Sequence, residues 1–215
     1  MGNQVTDHER LARFVYEMGL LKRAPRTGWF LAGVEDPETI AEHSFRTAMI
    51  GFVLAVMEGA DPFRTATLCL FHDSGETRTG DVPSVGRAYV STADEVDIVA
   101  DQAAGLPVDV ASALRDLIVE YVDGDSTEAQ LAHDADKLEC LLQAREYQAQ
   151  GYADAEPWVA ASADAVRCPS ATYRPRNGGA RSSRATTTTT AGPTATSDPP
   201  APNDGPDSLP AIIAG

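Results

Sequence analysis

The chain of 215 residues contains only three cysteines, which argues against two classes of cysteine-dependent protein. Cys69, Cys140 and Cys168 are odd in number and widely separated along the chain. Disulfide-stabilised domains and zinc ribbons both need paired or closely spaced cysteines. We therefore expect reduced thiols with a structural role.

Long apolar runs are also missing. The best candidate, 48–57, falls well short of the roughly 20 residues that a membrane-spanning helix needs, and the charged Glu58 follows it. The first residues lack the basic-then-apolar order of a secretion signal, since 7–10 are all charged or polar. These features predict a cytoplasmic protein that does not interact with membranes.

Positive charge is scarce. The 17 Lys and Arg residues are outnumbered by 32 Asp and Glu residues, which gives a formal net charge of -15. Because nucleic-acid backbones are bound by clustered Lys and Arg, we expect no nucleic-acid partner. A small anionic substrate is compatible with this charge if a metal ion and one or two arginines make the site locally positive.

Residues 1–166 show the apolar spacing of three and four that is typical of helices, and no alternating run long enough for a strand. Capping-box pairs, Pro positions and this spacing predict helices from Thr6, from Thr39 to Met57, from Asp61 to about Glu76, and over 92–104, 107–122 and 126–150. The pattern predicts an all-α domain.

The composition changes abruptly at residue 167. Thr, Pro, Ser, Ala and Gly dominate 167–215, and such a segment cannot bury enough apolar surface to offset the entropy lost on ordering. The segment holds five Arg and three Asp, so 1–166 carries a net charge of -17. We predict a helical domain over 1–166 and a disordered tail over 167–215.

The dipeptide His72-Asp73 follows the apolar run 68–71, which indicates a helix that is buried on most sides. A buried imidazole and a buried carboxylate are costly unless another group satisfies them. A divalent metal ion does so, because both side chains are good ligands for first-row metals. The dipeptide alone is weak evidence, since the chain repeats it at His133-Asp134.

Two acidic residues follow His72 in the sequence at positions from which their side chains can lie close to it. Glu76 lies four residues after His72, one turn further along the same face of a continuous helix. Gly80 can then end that helix and allow Asp81 to turn back.

Two further candidate ligands lie on other predicted helices. His43 falls in the first turn of its helix, and Asp136 falls in the middle of the last predicted helix. Imidazole and carboxylate groups that come from different helices are how helical bundles build metal sites in their cores.

The order of these motifs resembles the HD-domain superfamily of metal-dependent phosphohydrolases, and within it the 5′-deoxynucleotidase branch. The resemblance extends from about Leu11 to Trp158 and rests on Lys22-Arg23, Arg26-Thr27-Gly28-Trp29, Ala41-Glu42-His43, Phe71-His72-Asp73, Gly75-Glu76, Gly80-Asp81, the run 135–139 and the run 143–147.

The resemblance implies a helical HD domain with a metal site in its core, a divalent ion such as Mn, Co or Mg, and a homodimer. The ligands that it implies are His43, His72, Asp73 and Asp136. It also implies that Glu76 and Asp81 handle the attacking water and the substrate, or hold a second cation, and that Arg23 orients the phosphate. The implied substrate is a nucleoside 5′-monophosphate.

Alternatives remain open at two residues and for the substrate. Asp134 competes with Asp136, although it would point roughly 200° away around the helix, and Arg26 could replace Arg23. The substrate could instead be a cyclic nucleotide, a nucleoside triphosphate or a biosynthetic phosphate. A nucleotide-binding module without catalysis is the alternative of another class.

Overall fold

A computed structural model of the protein describes residues 6–171. Within this range the chain forms eight α-helices, three short 3-10 helices and no strand, so the prediction of an all-α domain is confirmed. The α-helices are α1 Asp7–Met18, α2 Ile40–Glu58, α3 Pro62–Phe71, α4 Glu76–Thr79, α5 Glu95–Ala103, α6 Val108–Asp123, α7 Thr127–Ala149 and α8 Glu156–Ala165; the 3-10 helices are Gly19–Lys22, Thr27–Ala32 and Ala153–Ala155.

Helix α2 begins at the predicted capping box. The Thr39 hydroxyl accepts a hydrogen bond from the Glu42 backbone N–H at 3.2 Å, and the Glu42 carboxylate accepts one from the Thr39 N–H at 2.7 Å. Each bond satisfies a backbone donor that a helix start would leave without a partner. This cap places His43 in the first turn of α2, where its side chain faces the interior.

Helices α2, α3 and α7 surround the main core, in which Leu54, Leu68 and Ala135 are buried. Gly51 marks the closest approach of α2 to α3, because a Cβ atom built there would lie 2.5 Å from Cys69 Sγ. A second cluster around Trp29, Tyr147 and Val159 joins the 27–32 turn to α7 and α8. The 26–29 segment is thereby held against the α7 side of the molecule.

By length and composition α2 is the one helix among the described residues that could cross a membrane, with a mean hydropathy of 1.3. Buried helices in the cores of helical domains meet the same two criteria. Helix α2 packs against α3 and α7 on one side, but only 39% of its apolar stretch is buried, so much of its apolar surface is exposed.

The helix predicted from Asp61 to about Glu76 is interrupted, and this part of the prediction is wrong. Helix α3 ends at Phe71, and the next residues form tighter turns in which the Ser74 N–H bonds to the Phe71 carbonyl and the Glu76 N–H to the Asp73 carbonyl. These bonds span three residues rather than four, as in a 3-10 helix. Glu76 therefore begins the separate helix α4, which ends at Gly80 with φ of +71°.

The described structure continues five residues past 166, the predicted end of the helical domain. The Asp134 carboxylate accepts hydrogen bonds from the backbone N–H groups of Arg167, at 3.0 Å, and Cys168, at 2.6 Å. Ala171 is buried against the main core. The remaining part of the predicted disordered tail, 172–215, lies outside the described residues.

Candidate metal centre

The structure brings together the four side chains that the resemblance implies as ligands. His43 comes from the first turn of α2, His72 and Asp73 follow α3, and Asp136 comes from the middle of α7. His43 Nε2 lies 3.2 Å from Asp136 Oδ1 and 3.7 Å from Asp73 Oδ2, and His72 Nε2 lies 3.1 Å from Asp73 Oδ2. One ligand atom from each of His43, His72 and Asp73 lies within 4.8 Å of the other two, and Asp136 joins this group through its contact with His43 Nε2.

Both imidazoles present a ligating nitrogen to this point. His72 Nδ1 donates to the Cys69 carbonyl at 2.6 Å, and His43 Nδ1 pairs with the Glu139 carboxylate at 2.5 Å. The Nε2 atoms of both rings are buried and have no hydrogen-bond partner. Buried polar atoms without partners are rare, and a neutral imidazole whose other nitrogen donates is the usual metal-binding form. The residues therefore fit a divalent cation.

The charges at the centre favour a cation. Burial alone would raise the pKa of Asp73, but His72 and Arg26 hold that pKa well below its usual range. Burial opposes ionisation of Asp136 in the same way, and His43 and His72 lower its pKa. Burial would lower the pKa of His43, yet its carboxylate neighbours Asp136 and Glu139 raise it to about 10. Without metal, a proton on His43 supplies the positive charge that these carboxylates attract.

Of the two candidate arginines, Arg26 reaches the centre and Arg23 does not. Arg26 Nη1 lies 3.1 Å from Asp73 Oδ2, with only 18% of the Arg26 side chain exposed. Arg23 follows the 3-10 helix Gly19–Lys22, is exposed, and is not among the residues that line the cavity containing His72, Asp73 and Asp136.

Glu76 lies beside the centre with one carboxylate oxygen, Oε2, buried and without a hydrogen-bond partner. Burial raises the pKa of Glu76 to about 9, with further increases from the charges of Asp73 and Asp81. At neutral pH and without a nearby cation, this carboxyl therefore carries a proton.

Asp81 is held by the residue that follows Arg26. Its carboxylate accepts the Thr27 backbone N–H at 2.5 Å, and its backbone carbonyl accepts the Thr27 hydroxyl at 2.7 Å. Asp81 also lines a small cavity of about 130 Å³ together with Arg26 and Trp29. It thereby anchors the segment that carries Arg26.

An open cavity of about 480 Å³ lies against the centre, a volume within the usual range for small-molecule sites. His72, Asp73 and Asp136 form its floor, and the cationic side chains in its wall are Arg26, Arg87 and Lys137. Carboxyl groups also line the cavity, at Asp73, Glu76, Asp94, Glu95 and Asp136. They outnumber the three cations, so an anionic substrate would also need the charge of a bound metal ion.

The second His-Asp pair is engaged elsewhere. His133 Nε2 donates to the Tyr121 carbonyl at 2.9 Å, and its ring stacks on that of Tyr121 with centroids 4.2 Å apart. Asp134 binds the backbone of Arg167 and Cys168. The alternative that Asp134 replaces Asp136 therefore has no support in the geometry.

Sequence reasoning missed the groups behind His43. Glu139 contacts the Nδ1 side of the ring and pairs with Arg46, and an oxygen of Glu38 lies within 4.8 Å of ligand atoms of His43 and Glu139. Burial and the nearby Glu139 raise the pKa of Glu38 to about 7. The sequence feature that could have identified Glu139 is its spacing. It follows Asp136 by three residues and so lies one turn further along the same face of α7.

Comparison with known proteins shows which family the chain resembles. The family model described as HD domain matches residues 18–166. A 5′-deoxynucleotidase HDDC2 from Bos taurus is 33% identical over 141 residues, which cover 64% of this chain and 68% of the relative. The HDDC2 protein from Dictyostelium discoideum is also 33% identical, with coverage of 61% and 74%.

Solved structures with similar sequences also share the fold of this chain. The PH0347 protein of Pyrococcus horikoshii is 33% identical and matches with a TM-score of 0.60, covering 70% of this chain and 86% of its own. A predicted metal-dependent phosphohydrolase from Magnetospirillum magnetotacticum is 27% identical, with a TM-score of 0.54 and coverage of 72% and 86%. The family model spans well over half of the chain, and the chain belongs to the HD-domain family.

Proposed function

We propose that this protein is a metal-dependent 5′-deoxynucleotidase, which hydrolyses deoxynucleoside 5′-monophosphates to nucleoside and phosphate. The observation that carries the proposal is the pair of buried Nε2 atoms, on His43 and His72, that face the carboxylates of Asp73 and Asp136 without hydrogen-bond partners. The similarity to HDDC2 proteins supports the substrate class.

His43, His72, Asp73 and Asp136 would hold the cation, and Mn, Co and Mg are the candidate ions. When bound, such an ion makes a water molecule more acidic and polarises a phosphoryl oxygen. The Nδ1 partners of the two imidazoles keep their Nε2 atoms available as ligands.

Arg26 is the group best placed to bind the phosphate. Its planar guanidinium can pair with two phosphate oxygens at once, which a lysine ammonium cannot do. Asp81 supports this role through its two bonds to Thr27. The direct part in catalysis that the resemblance implies for Asp81, and the phosphate contact that it implies for Arg23, stay predictions.

Hydrolysis forms a bond from the water oxygen to phosphorus and breaks the bond from phosphorus to O5′ of the nucleoside. The water loses a proton and the departing oxygen gains one. Glu76 Oε2 is buried, beside the centre and without another partner, so it is placed to hold a proton during this exchange.

The test is phosphate release from deoxyribo- and ribonucleoside 5′-monophosphates with Mn²⁺, Co²⁺ or Mg²⁺, and with EDTA as the control. We expect release that needs the ion and that the Asp73→Asn variant lacks. Cyclic nucleotides and nucleoside triphosphates, with products identified by chromatography, test the other HD hydrolase activities. Nucleotide binding without any turnover would instead indicate an inactive binding module.

We also propose a homodimer, formed through the exposed apolar face of α2. Six large apolar side chains on this helix are between 38% and 65% exposed, namely Phe45, Met49, Phe52, Val53, Val56 and Met57. Such a contiguous face is unusual on the surface of a monomer. Light scattering should give twice the chain mass for the wild type and the single mass for Val53→Arg; a monomeric wild type would contradict this proposal.

We propose that the protein acts in the cytoplasm and binds no nucleic acid, in keeping with its net charge of -15.

A further inference from the structure

We propose that Glu139 and Arg46 are positioning residues that fix the tautomer of His43 and so keep its Nε2 atom available for metal. This inference rests on the proposed function only in taking His43 as a ligand. It concerns side chains on the far side of the imidazole, outside the cavity that would hold the substrate.

Glu139 has both of its carboxylate oxygens engaged in the interior, where the residue is fully buried. Oε2 lies 2.5 Å from His43 Nδ1; Oε1 accepts a hydrogen bond from Arg46 Nε at 2.8 Å and lies 2.7 Å from Arg46 Nη2 as an ion pair. One oxygen therefore serves the imidazole and the other serves the guanidinium.

Arg46 is itself fixed from two further directions. Its Nη1 donates to both carboxylate oxygens of Glu146 at 2.8 Å, and its Nη2 donates to Gln143 Oε1 at 2.6 Å. His43 and Arg46 lie three residues apart on α2, while Glu139, Gln143 and Glu146 share one face of α7. The two helices thus hold the Glu139 carboxylate in one orientation.

This orientation decides where the proton of neutral His43 resides. A carboxylate can only accept hydrogen bonds, so the facing Nδ1 must carry the hydrogen, and the Nε2 lone pair is left for a ligand. The reverse tautomer would place two lone pairs 2.5 Å apart in a buried site and block Nε2 with a hydrogen.

A glutamine at position 139 would reverse this preference. Its amide has one accepting oxygen and one donating nitrogen. If the oxygen stays with Arg46, the amide N–H groups face Nδ1 and favour the tautomer with hydrogen on Nε2. If the oxygen turns to His43, the amide N–H groups face the donors of Arg46. Either arrangement weakens the binding of metal to His43.

The test is titration of the metal-free full chain with Co²⁺, followed by calorimetry and by the visible absorption of the bound ion. We expect Glu139→Gln to weaken Co²⁺ binding about 10- to 100-fold, the usual cost of losing the partner of a ligating histidine. Glu146→Gln is the matched control, because it makes the same change on the same face of α7 and also contacts Arg46. We expect its affinity to stay within about threefold of the wild type, since Glu139 is untouched.

The double variant Arg46→Met/Glu139→Gln separates tautomer control from general damage to the fold. Without the guanidinium, the oxygen of the introduced glutamine amide is free to accept from Nδ1. The double variant should therefore bind Co²⁺ more tightly than Glu139→Gln alone, whereas a purely structural role predicts equal or greater loss. Circular dichroism in EDTA verifies that each variant is folded.

Wild-type affinity in Glu139→Gln would overturn the inference, and so would a double variant that binds no better than the single one. These outcomes differ from failure of the proposed function. A wild type that binds Co²⁺ in a Glu139-dependent way but releases no phosphate would refute the nucleotidase and leave the positioning role intact. A wild type that releases phosphate, together with a Glu139→Gln variant that binds Co²⁺ as tightly as the wild type, would support the nucleotidase and refute the positioning role.

Discussion

The guanidinium of Arg26 lies 3.1 Å from the carboxylate of Asp73, so the arginine best placed for phosphate also contacts a proposed metal ligand. Thr27, the next residue, is bound to Asp81 through both its backbone and its hydroxyl. The antiparallel bridge between Pro25 and Thr39 ties the same segment to the start of α2. The proposed phosphate-binding group is therefore held by segments that also carry or adjoin the proposed metal ligands.

Arg26→Ala should lower kcat/KM for a nucleoside 5′-monophosphate by about 10²- to 10³-fold, because a preorganised charge facing the phosphate is lost. The matched control is Arg23→Ala, which removes an exposed arginine three residues earlier and should stay within about threefold of the wild type. Steady-state kinetics with both variants at saturating metal decides between the two arginines. A larger loss for Arg23→Ala would instead support the phosphate contact that the resemblance implies for Arg23.

Metal binding should be coupled to proton release. Because its carboxylate neighbours raise the pKa of His43 to about 10, the metal-free imidazole is protonated at neutral pH and must lose that proton to ligate. The affinity for Co²⁺ should then rise with pH, up to about tenfold per pH unit between about pH 6 and 8 for one released proton. Calorimetry in buffers of different ionisation enthalpy counts the protons, and affinity that does not change with pH would contradict the expectation.

Gly51→Ala should destabilise the fold by about 1–3 kcal/mol, since the new Cβ would lie 2.5 Å from Cys69 Sγ and 3.3 Å from Thr65 Cγ2. Gly19→Ala is the control, because no atom lies within 4 Å of a Cβ at Gly19 and its φ is -62°. Urea unfolding of the metal-free proteins measures both. Equal stability of the two variants would show that α2 and α3 are less tightly packed than the structure indicates.

The features that the sequence predicts well are local. The capping boxes at Thr6 and Thr39 form as expected, because a hydroxyl and a carboxylate three residues apart can satisfy each other's backbone groups without tertiary contacts. The positions of His43 and Asp136 on their helices follow from the same periodicity.

The features that the sequence did not predict depend on contacts between distant segments. The break after Phe71 adjoins the bond from the His72 ring to the Cys69 carbonyl, and helix periodicity carries no signal for such a bond. Arg23 and Arg26 are alike in sequence, and the contacts of Thr27 with Asp81 are what bring the second arginine to the centre. Glu139 reads as an ordinary charged helix residue until α2 is placed against it.

The most direct test of the metal centre is a comparison of Asp136→Asn with Asp134→Asn, the same substitution two residues apart on α7. Co²⁺ binding and phosphate release are measured for both variants, with circular dichroism as the check on folding. Asp136→Asn should lose metal binding and turnover while it stays helical. Asp134→Asn should keep both, and should lose about 1–3 kcal/mol of stability because its bonds to the 167–168 backbone are weakened. Full metal binding by Asp136→Asn, or its loss in Asp134→Asn alone, would contradict the proposed centre.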